Sequence, residues 1–441
     1  MKSLSKLGVI VLMLVSVQLS VAQQTDFSKA DQLLDSLEVH NKFMGTVLLT
    51  ENGQIRFARS RGYADQENGI KNIVETQYRI GSISKMFTSV LIFKSIEDKE
   101  LNLEQALSDF YPMIPNAEKI QIAHLLQHRS GIHNFTDSKN YLEYNTEAKS
   151  EAEMLQIILE GGSDFEPDSK AAYSNSNYVL LSYILEKIHK KPYGEILQTE
   201  IVRPLKLKNT QVFGVISPQA AEARSYGYND GWVVEKETHP SIPMGAGAIS
   251  STGEDLAQFA KGLFDGKLVS QKNLDQMMEI KDGYGFGLFS FPYYEKKAYG
   301  HTGGIDGFRS ILGYFPEEKV AIVILSNGLN WNNNDIILAV LNEYFGKEVT
   351  IPSFQSFSVA EAEIDQYLGD YVSEQIPISF TFVKEGNTLI AKPTGQPDTK
   401  LEATAKHQFE FPAVGAVFIF DPENGELTLK QGGGSFLYKK K

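Results

Sequence analysis

The apolar and polar positions of the chain alternate between short strand-like stretches and longer helical ones. Residues 45–58 predict a hairpin, because GTVLLT and QIRFA flank an Asn-Gly pair at 52–53, which favours a tight turn between strands. Residues 83–97 are apolar on most faces of a helix, which predicts a central, buried helix. Further helical patterns cover residues 120–128, 176–190 and 256–264.

Strand patterns return from about Tyr284 and are followed by a last helix at about 334–345. The strand stretches are YGFGLFSF, KKAYGHTGG, FRSILGYFP and KVAIVILSN, and short turn signals separate them as in an antiparallel sheet. The order of hairpin, helical insert, strands and closing helix predicts an α/β fold. In this fold, the two ends of an antiparallel sheet pair around an inserted helical domain.

The pattern changes after Pro352. Phe380 and Phe382 alternate with polar residues, and the same alternation recurs up to the C-terminus between turn-forming segments. This predicts a separate small antiparallel β-domain over about 365–441, either barrel-like or a curved sheet. We therefore divide the chain into a signal peptide at 1–22, a main domain at 23–350 and a C-terminal β-domain at 351–441.

The first residues have the pattern of a secretory signal peptide. Lys2 and Lys6 precede an apolar run from about 7 to 17, and Ser20 and Ala22 supply the small residues of a cleavage site. The alternative is an uncleaved anchor, for which the apolar run is short. We expect an exported protein, periplasmic or secreted, with no stable membrane span after cleavage.

Composition excludes several other classes of function. The 441-residue chain carries a net charge of −13, which argues against nonspecific nucleic-acid binding. It has no cysteine, which rules out disulfides, thiolate zinc sites and a cysteine nucleophile. It also has no P-loop, and we expect neither a metal nor another cofactor.

The stretch GSISKMFTSV places a lysine one helical turn after a serine. Ser82 and Lys85 share a helix face, so the lysine amine can approach the serine hydroxyl. A buried lysine loses its charge readily, and a neutral amine can take the serine proton and make the oxygen a nucleophile. Ser82 at a helix start also has a backbone N–H free for an oxyanion, although alone such a serine is more typical of a helix cap.

A tyrosine and an asparagine follow on the next helical pattern. Tyr173 near a lysine can be held partly ionised and relay a proton to a leaving group. Asn175 offers an amide that can bind Lys85 and a substrate carbonyl.

A third motif lies inside a predicted strand. His301 and Thr302 supply a polar pair, and Gly303 lets a substrate approach the backbone. Gly304 would present a second N–H to the oxyanion.

These three motifs, in this order, resemble those of the penicillin-recognising serine hydrolases. That superfamily includes class C β-lactamases, D-alanyl-D-alanine carboxypeptidases, D-aminopeptidases and family VIII esterases. The resemblance covers residues 27–346 and includes the flanks IAHLLQHRSGI, RPLKLKNT and GHTGGIDGF. It implies an α/β sheet with a helical domain, and the end of the chain resembles lipocalin-like extensions of some of these hydrolases.

The chain departs from the pattern of this superfamily at several positions. His301 stands where β-lactamases usually have a lysine, which is similar to the D-aminopeptidase branch and removes a permanent charge for a substrate carboxylate. Asp168 follows Pro167 where relatives often have glycine. The deacylating glutamate of class A enzymes has no assignable counterpart.

Two other features imitate functional motifs. Arg129-Ser130-Gly131 looks like a third motif, but it precedes Tyr173 and ends a helical pattern, so we expect it to cap that helix. His124 and His128 have a metal-ligand spacing without the metalloprotease glutamate, and with His133 we interpret them as structural.

The sequence therefore predicts an exported serine hydrolase that works through an acyl-enzyme on Ser82, with Lys85 as base and Tyr173 as proton relay. Its substrate would be an amide, an ester or a peptide, possibly a cell-wall peptide with a D-amino acid. The alternatives are a β-lactamase and a non-catalytic cell-wall binding or sensing protein. The sequence leaves open the natural substrate, the oligomeric state, the role of the β-domain and the base for deacylation.

Overall fold

The structure is a computed structural model that describes residues 25–216, 222–352, 354, 357–431 and 434–441. The predicted signal peptide lies outside these residues. Among the residues that are described, no helix is both long and apolar enough to cross a membrane.

Most helices lie between the first and last strands of the larger sheet. In chain order, the α-helices of the described residues are α1 Ser28–Val39, α2 Ser84–Glu97, α3 Ile122–Leu126, α4 Tyr141–Tyr144, α5 Glu151–Gly161, α6 Asn175–His189, α7 Tyr193–Leu197, α8 Arg203–Leu205, α9 Met244–Gly247, α10 Gly253–Phe264, α11 Gln271–Met277, α12 Asn333–Tyr344 and α13 Glu361–Ile364. A 3₁₀ turn at Gly81–Ile83 leads directly into α2.

The larger sheet brings the two ends of its segment together. The strands of this segment are β1 Phe43–Glu51, β2 Gln54–Arg61, β3 Tyr63–Asp65, β4 Ile70–Lys71, β5 Tyr78–Arg79, β6 Gln211–Val212, β7 Tyr226–Tyr228, β8 Trp232–Val234, β9 Ile249–Ser251, β10 Phe289–Tyr293, β11 Lys296–Ile305, β12 Phe308–Phe315 and β13 Val320–Leu329. The main path runs β10-β11-β12-β13-β1-β2, and β1 pairs with β13 in antiparallel register. The predicted closure around a helical insert is confirmed.

The hairpin β1–β2 and the central helix α2 also lie where the sequence predicts them. Strand β10, however, begins at Phe289 and not at Tyr284, because Gly287 turns the chain with a φ of +75°. Helix α2 is buried without interruption from Ser84 to Phe93. It lies in the larger apolar core, while α1 and α12 cover the opposite face of the sheet.

The C-terminal segment forms a second antiparallel sheet with its own core. Its strands are β14 Gly369–Val372, β15 Phe380–Glu385, β16 Thr388–Pro393, β17 Thr399–Lys400, β18 Glu402–Ala405, β19 Gln408–Phe411, β20 Ala416–Asp421, β21 Glu426–Gln431 and β22 Gly434–Lys440. The order is β17-β16-β15-β14-β22-β21-β20-β19-β18, so the first strand pairs with the last and the sheet is nearly closed. The alternating Phe380 and Phe382 enter its core, as the pattern predicts. The domain boundaries at 22 and 350 stay predictions.

Candidate active site

Ser82 lies on the 3₁₀ turn that leads into α2, and this turn is packed against β11. Gly81 has a φ of +50°, and a Cβ at this position would lie 2.8 Å from the Gly304 backbone nitrogen. A side chain here would therefore be strained and would collide with the strand. Glycine at 81 thus allows the backbone of the serine turn to meet the backbone of Gly304.

Lys85 is fully buried beneath Ser82 and contacts three oxygen atoms. Its Nζ lies 3.0 Å from Ser82 Oγ, 2.8 Å from Asn175 Oδ1 and 2.7 Å from the Ala246 carbonyl oxygen. Burial holds the pKa of Lys85 well below its usual value. A neutral amine has two hydrogens for the amide and carbonyl oxygens, so its lone pair is left for the Ser82 hydroxyl.

Tyr173 completes this chain of hydrogen bonds. Its hydroxyl donates to Ser82 Oγ over 2.8 Å. Burial raises the pKa of Tyr173 above its usual value, so the phenol is protonated in this structure. Burial is the largest influence on the pKa of Tyr173, and it favours the protonated phenol over the partly ionised tyrosine that the sequence suggests.

Asn175 is the first residue of α6 and fixes the lysine. Its Oδ1 contacts Lys85 Nζ, as the sequence predicts, and its Nδ2 donates to Asn134 Oδ1 at 3.2 Å and to Thr136 Oγ1 at 3.1 Å. The Ala246 carbonyl, which holds the other side of the lysine, left no signal in the sequence because any residue supplies one.

The third motif divides between the site and the protein interior. His301 is buried, and its Nδ1 lies 2.5 Å from the Thr302 carbonyl oxygen. Burial lowers the pKa of His301 to about 3, so the imidazole is neutral. Thr302 is exposed, whereas a Cβ on Gly303 would lie 2.0 Å from the Ile80 carbonyl oxygen. Glycine at 303 is thus required by contact with the chain itself, not by room for a substrate.

A cleft of about 830 Å³ opens over Ser82. Apolar side chains and backbone form one part of its wall, and charged side chains form another. Its lining residues are Ser82, Phe135, Thr136, Tyr141, Leu142, Asn145, Asn175, Val234, Glu235, Lys236, Thr238, Pro243, Ala246, Gly247, Gly304, Ile305, Asp306 and Arg309.

The sequence profile of the family described as Beta-lactamase matches residues 31–344. The chain belongs to this family. The resemblance inferred from the three motifs is confirmed, and so is the fold that it implies.

Relatives of this β-lactamase family member include named hydrolases and amidases. A teichoic acid D-alanine hydrolase of Staphylococcus aureus is 26% identical over 324 residues, which cover 72% of this chain and 77% of that protein. The D-amino acid amidase of Ochrobactrum anthropi SV3, solved with D-phenylalanine, is 26% identical with a TM-score of 0.65, and the match covers 73% of this chain and 99% of that chain. The match with the octameric penicillin-binding protein homologue of Pyrococcus abyssi covers 94% of this chain and 100% of that chain, with a TM-score of 0.67. At 22% identity it supports the fold alone. The chain is a serine hydrolase.

His128 is a site neighbour that sequence reasoning treated as structural. Its ring centroid lies 4.4 Å from that of Tyr173. Its Nδ1 accepts the Ser174 N–H at 3.1 Å, and its carbonyl accepts the Ala172 N–H at 2.9 Å. His128 therefore holds the backbone on both sides of the tyrosine and packs against its ring.

The remaining residues that the sequence analysis singled out make structural contacts in this family member. Ser130 Oγ donates to Asn177 Oδ1 at 2.6 Å, and the Arg129 N–H donates to the His124 carbonyl at the end of α3, as expected of a cap. Asp168 has a φ of +62°, the left-handed geometry that favours glycine, and its carboxylate binds Arg129 at 2.5 Å. His133 faces the Asp164 carboxylate at 3.0 Å.

Proposed function

We propose that this chain is an exported serine hydrolase that cleaves D-aminoacyl esters or amides through an acyl-enzyme on Ser82. The observation that carries the proposal is the continuous chain of hydrogen bonds from Tyr173 through Ser82 to a buried Lys85. This order places a proton acceptor on one side of the nucleophile and a proton donor on the other.

Acylation begins when the neutral amine of Lys85 accepts the Ser82 proton while Oγ attacks the substrate carbonyl carbon. The carbonyl oxygen becomes negative and is stabilised by the backbone N–H groups of Ser82 and Gly304. The pKa of Lys85, lowered by burial, suits this step because the amine is ready to accept a proton.

Departure of the leaving group needs a proton on its oxygen or nitrogen. The Tyr173 hydroxyl donates it as the bond between the leaving group and the carbonyl carbon breaks, and the proton held by the lysine ammonium then restores the Tyr173 phenol, so that both groups return to their starting protonation. Deacylation runs these steps in reverse. Water gives a proton to the pair of Lys85 and Tyr173 as its oxygen attacks the acyl carbon, and Ser82 recovers its hydrogen as the acyl group leaves. The net reaction is hydrolysis, with both side chains restored.

The substrate class rests on the family relatives. Teichoic acid D-alanine hydrolase and D-amino acid amidase are named for a D-configured acyl group, joined to different leaving groups. The cleft over Ser82 is open enough for either an ester or an amide substrate. A β-lactamase activity ranks below this, because a neutral, buried His301 stands at the position where β-lactamases usually have a lysine. Export is supported by the signal-peptide pattern at residues 1–22.

A panel of matched substrates tests the proposal. D-alanine and L-alanine p-nitrophenyl esters, D-phenylalanine amide and a penicillin are offered to the purified protein, with Ser82→Ala as the inactive control. We expect the D-alanyl ester or D-amide to have the highest kcat/KM, with no turnover by Ser82→Ala. Faster turnover of the penicillin would favour the β-lactamase alternative, and turnover of L-alanyl esters alone would contradict the substrate class.

A further inference from the structure

The third motif supplies no positive charge to the cleft, but a neighbouring strand does. Arg309 on β12 pairs across the sheet with Gly304, one of the two proposed oxyanion donors. A Cβ built on Gly304 would lie 3.7 Å from Arg309 Nη1. The guanidinium therefore lies beside the point where a substrate carbonyl would bind.

The Arg309 side chain is held in place by backbone groups. Its Nη1 donates to the Asp306 carbonyl oxygen at 3.0 Å and to the Phe308 carbonyl oxygen at 2.8 Å. These contacts orient the guanidinium without neutralising it, so its other N–H groups can donate into the cleft. A fixed guanidinium suits carboxylates and phosphates because two of its N–H groups can bind two oxygens.

Two carboxylates, those of Glu235 and Asp306, attract Arg309 electrostatically but form no direct ion pair with it. Within the described residues, no carboxylate oxygen lies within 4.0 Å of the charged nitrogens of Arg309 or of Lys236, which lines the same cleft. The Asp306 carboxylate, which also lines the cleft, is bound to Thr238 at 2.6 Å and faces Arg79 at 3.4 Å. Glu235 lines the cleft too, and its carboxylate lies against the Gly227 backbone.

We infer that Arg309 is a specificity-determining residue that binds an anionic group, a carboxylate or a phosphate, carried by the substrate near its scissile bond. Lys236 lies on the same cleft and adds a second positive charge. This inference rests on the proposed function and narrows its substrates to D-aminoacyl compounds with an anionic neighbour. It also accounts for the neutral His301 in the third motif, because Arg309 supplies the positive charge from a different position in the cleft.

Two matched pairs of D-alanyl esters test this inference and separate the two anions. D-alanyl glycolate is compared with D-alanyl glycolamide, and D-alanyl glycerol phosphate with D-alanyl glycerol. The variants are Arg309→Gln, Arg309→Lys and Lys297→Gln, the last a control that removes an exposed charge at the far end of β11. We expect the wild type to favour at least one anionic ester by about tenfold in kcat/KM, the gain from one charge-assisted hydrogen bond.

In Arg309→Gln the ratio of kcat/KM for the anionic ester to kcat/KM for the neutral ester should fall about tenfold. Arg309→Lys should keep part of the wild-type ratio, and Lys297→Gln should keep all of it. The pair that loses its ratio identifies the anion. A ratio of one in the wild type, or an unchanged ratio in Arg309→Gln, would overturn the inference. If no ester is hydrolysed, the proposed function fails, and the inference is tested separately by calorimetry, which measures binding of the same esters to Ser82→Ala. Equal binding of the anionic and neutral esters would overturn the inference. An anionic preference that is lost in Ser82→Ala/Arg309→Gln would support it.

Discussion

At the scale of single residues, the account depends on the protonation of Lys85. The lysine has oxygen atoms for neighbours, and burial favours its uncharged form. A base that is neutral at the working pH can accept the Ser82 proton directly. The same burial keeps Tyr173 protonated, so the two groups divide the roles of acceptor and donor.

Replacing Lys85 by arginine should reduce acylation by about 10²- to 10⁴-fold, because a guanidinium stays protonated and cannot act as a base. In the wild type, the acylation rate should fall as the pH decreases through the lowered pKa of Lys85, since protonation removes the lone pair. Stopped-flow acylation by a p-nitrophenyl ester measures both effects. Lys94→Arg, on the same helix and paired with Glu200 at 3.3 Å, is the matched control. Near wild-type acylation by Lys85→Arg would contradict a lysine base.

His128 should act through the position of Tyr173. His128→Ala loses the acceptor for the Ser174 N–H and the ring that packs on the tyrosine, so we expect kcat to fall about tenfold or more with a smaller change in KM. His128→Asn should recover part of the loss, because its amide oxygen can accept the same bond and asparagine tolerates the φ of +56°. His124→Ala, which removes an acceptor at the start of α3, should change stability but not kcat. Equal kcat losses in all three variants would indicate a merely structural role.

At the scale of elements, the sequence predicts most of what positions the site. The central helix, the β1–β2 hairpin and the alternating C-terminal strands follow from periodicity, because these elements bury one face or all faces. Ser82, Lys85 and Tyr173 could be predicted because side-chain chemistry limits the choices. The Ala246 carbonyl could not be predicted as a ligand of Lys85, since a backbone oxygen is independent of residue type. The contacts of His128 with the backbone on both sides of Tyr173 could not be predicted either, since they depend on a loop conformation. The ionisation of Tyr173 was also beyond the sequence, because it depends on burial in three dimensions.

The contact between the serine turn and β11 should be essential to the oxyanion pair. Gly81→Ala would add strain at a φ of +50° and place a methyl group 2.8 Å from the Gly304 nitrogen. Gly69→Ala is its control, because Gly69 has a φ of +68° but no atom within 4 Å of the new methyl group. We expect both variants to lose about 1 kcal/mol or more in free energy of unfolding, and only Gly81→Ala to lose about 10²-fold in kcat. Chemical denaturation and steady-state kinetics measure the pair, and equal kcat values would contradict the account.

At the scale of the whole molecule, the C-terminal sheet contacts the turn that precedes one strand of the cleft wall. Lys400 Nζ lies 3.3 Å from Asp230 Oδ2, in the turn between β7 and β8, and β8 ends at Val234, which lines the cleft. An exposed ion pair of this kind contributes little by itself. The C-terminal sheet therefore lies next to the β7–β8 turn, whereas the groups around Ser82 belong to the larger sheet and its helices.

Deleting residues 352–441 should leave a protein that a small p-nitrophenyl ester still acylates, because the candidate catalytic residues lie before residue 305. We expect KM for larger D-alanyl esters to rise, since Tyr228 on β7 lines a cavity together with Glu402 and Ala403, and the deletion removes that wall. Asp230→Ala in the full chain breaks only the ion pair and should leave KM nearly unchanged. A soluble truncated protein that no ester acylates would show that the C-terminal sheet completes the site.

The central claim is that Ser82 carries the acyl group during turnover. Intact-protein mass spectrometry after rapid acid quenching of the reaction with a D-alanyl p-nitrophenyl ester tests it, followed by peptide mapping. We predict one D-alanyl group per chain, on the peptide that contains Ser82, and its absence in Ser82→Ala. An adduct on another residue, or hydrolysis by Ser82→Ala at the wild-type rate, would contradict the account.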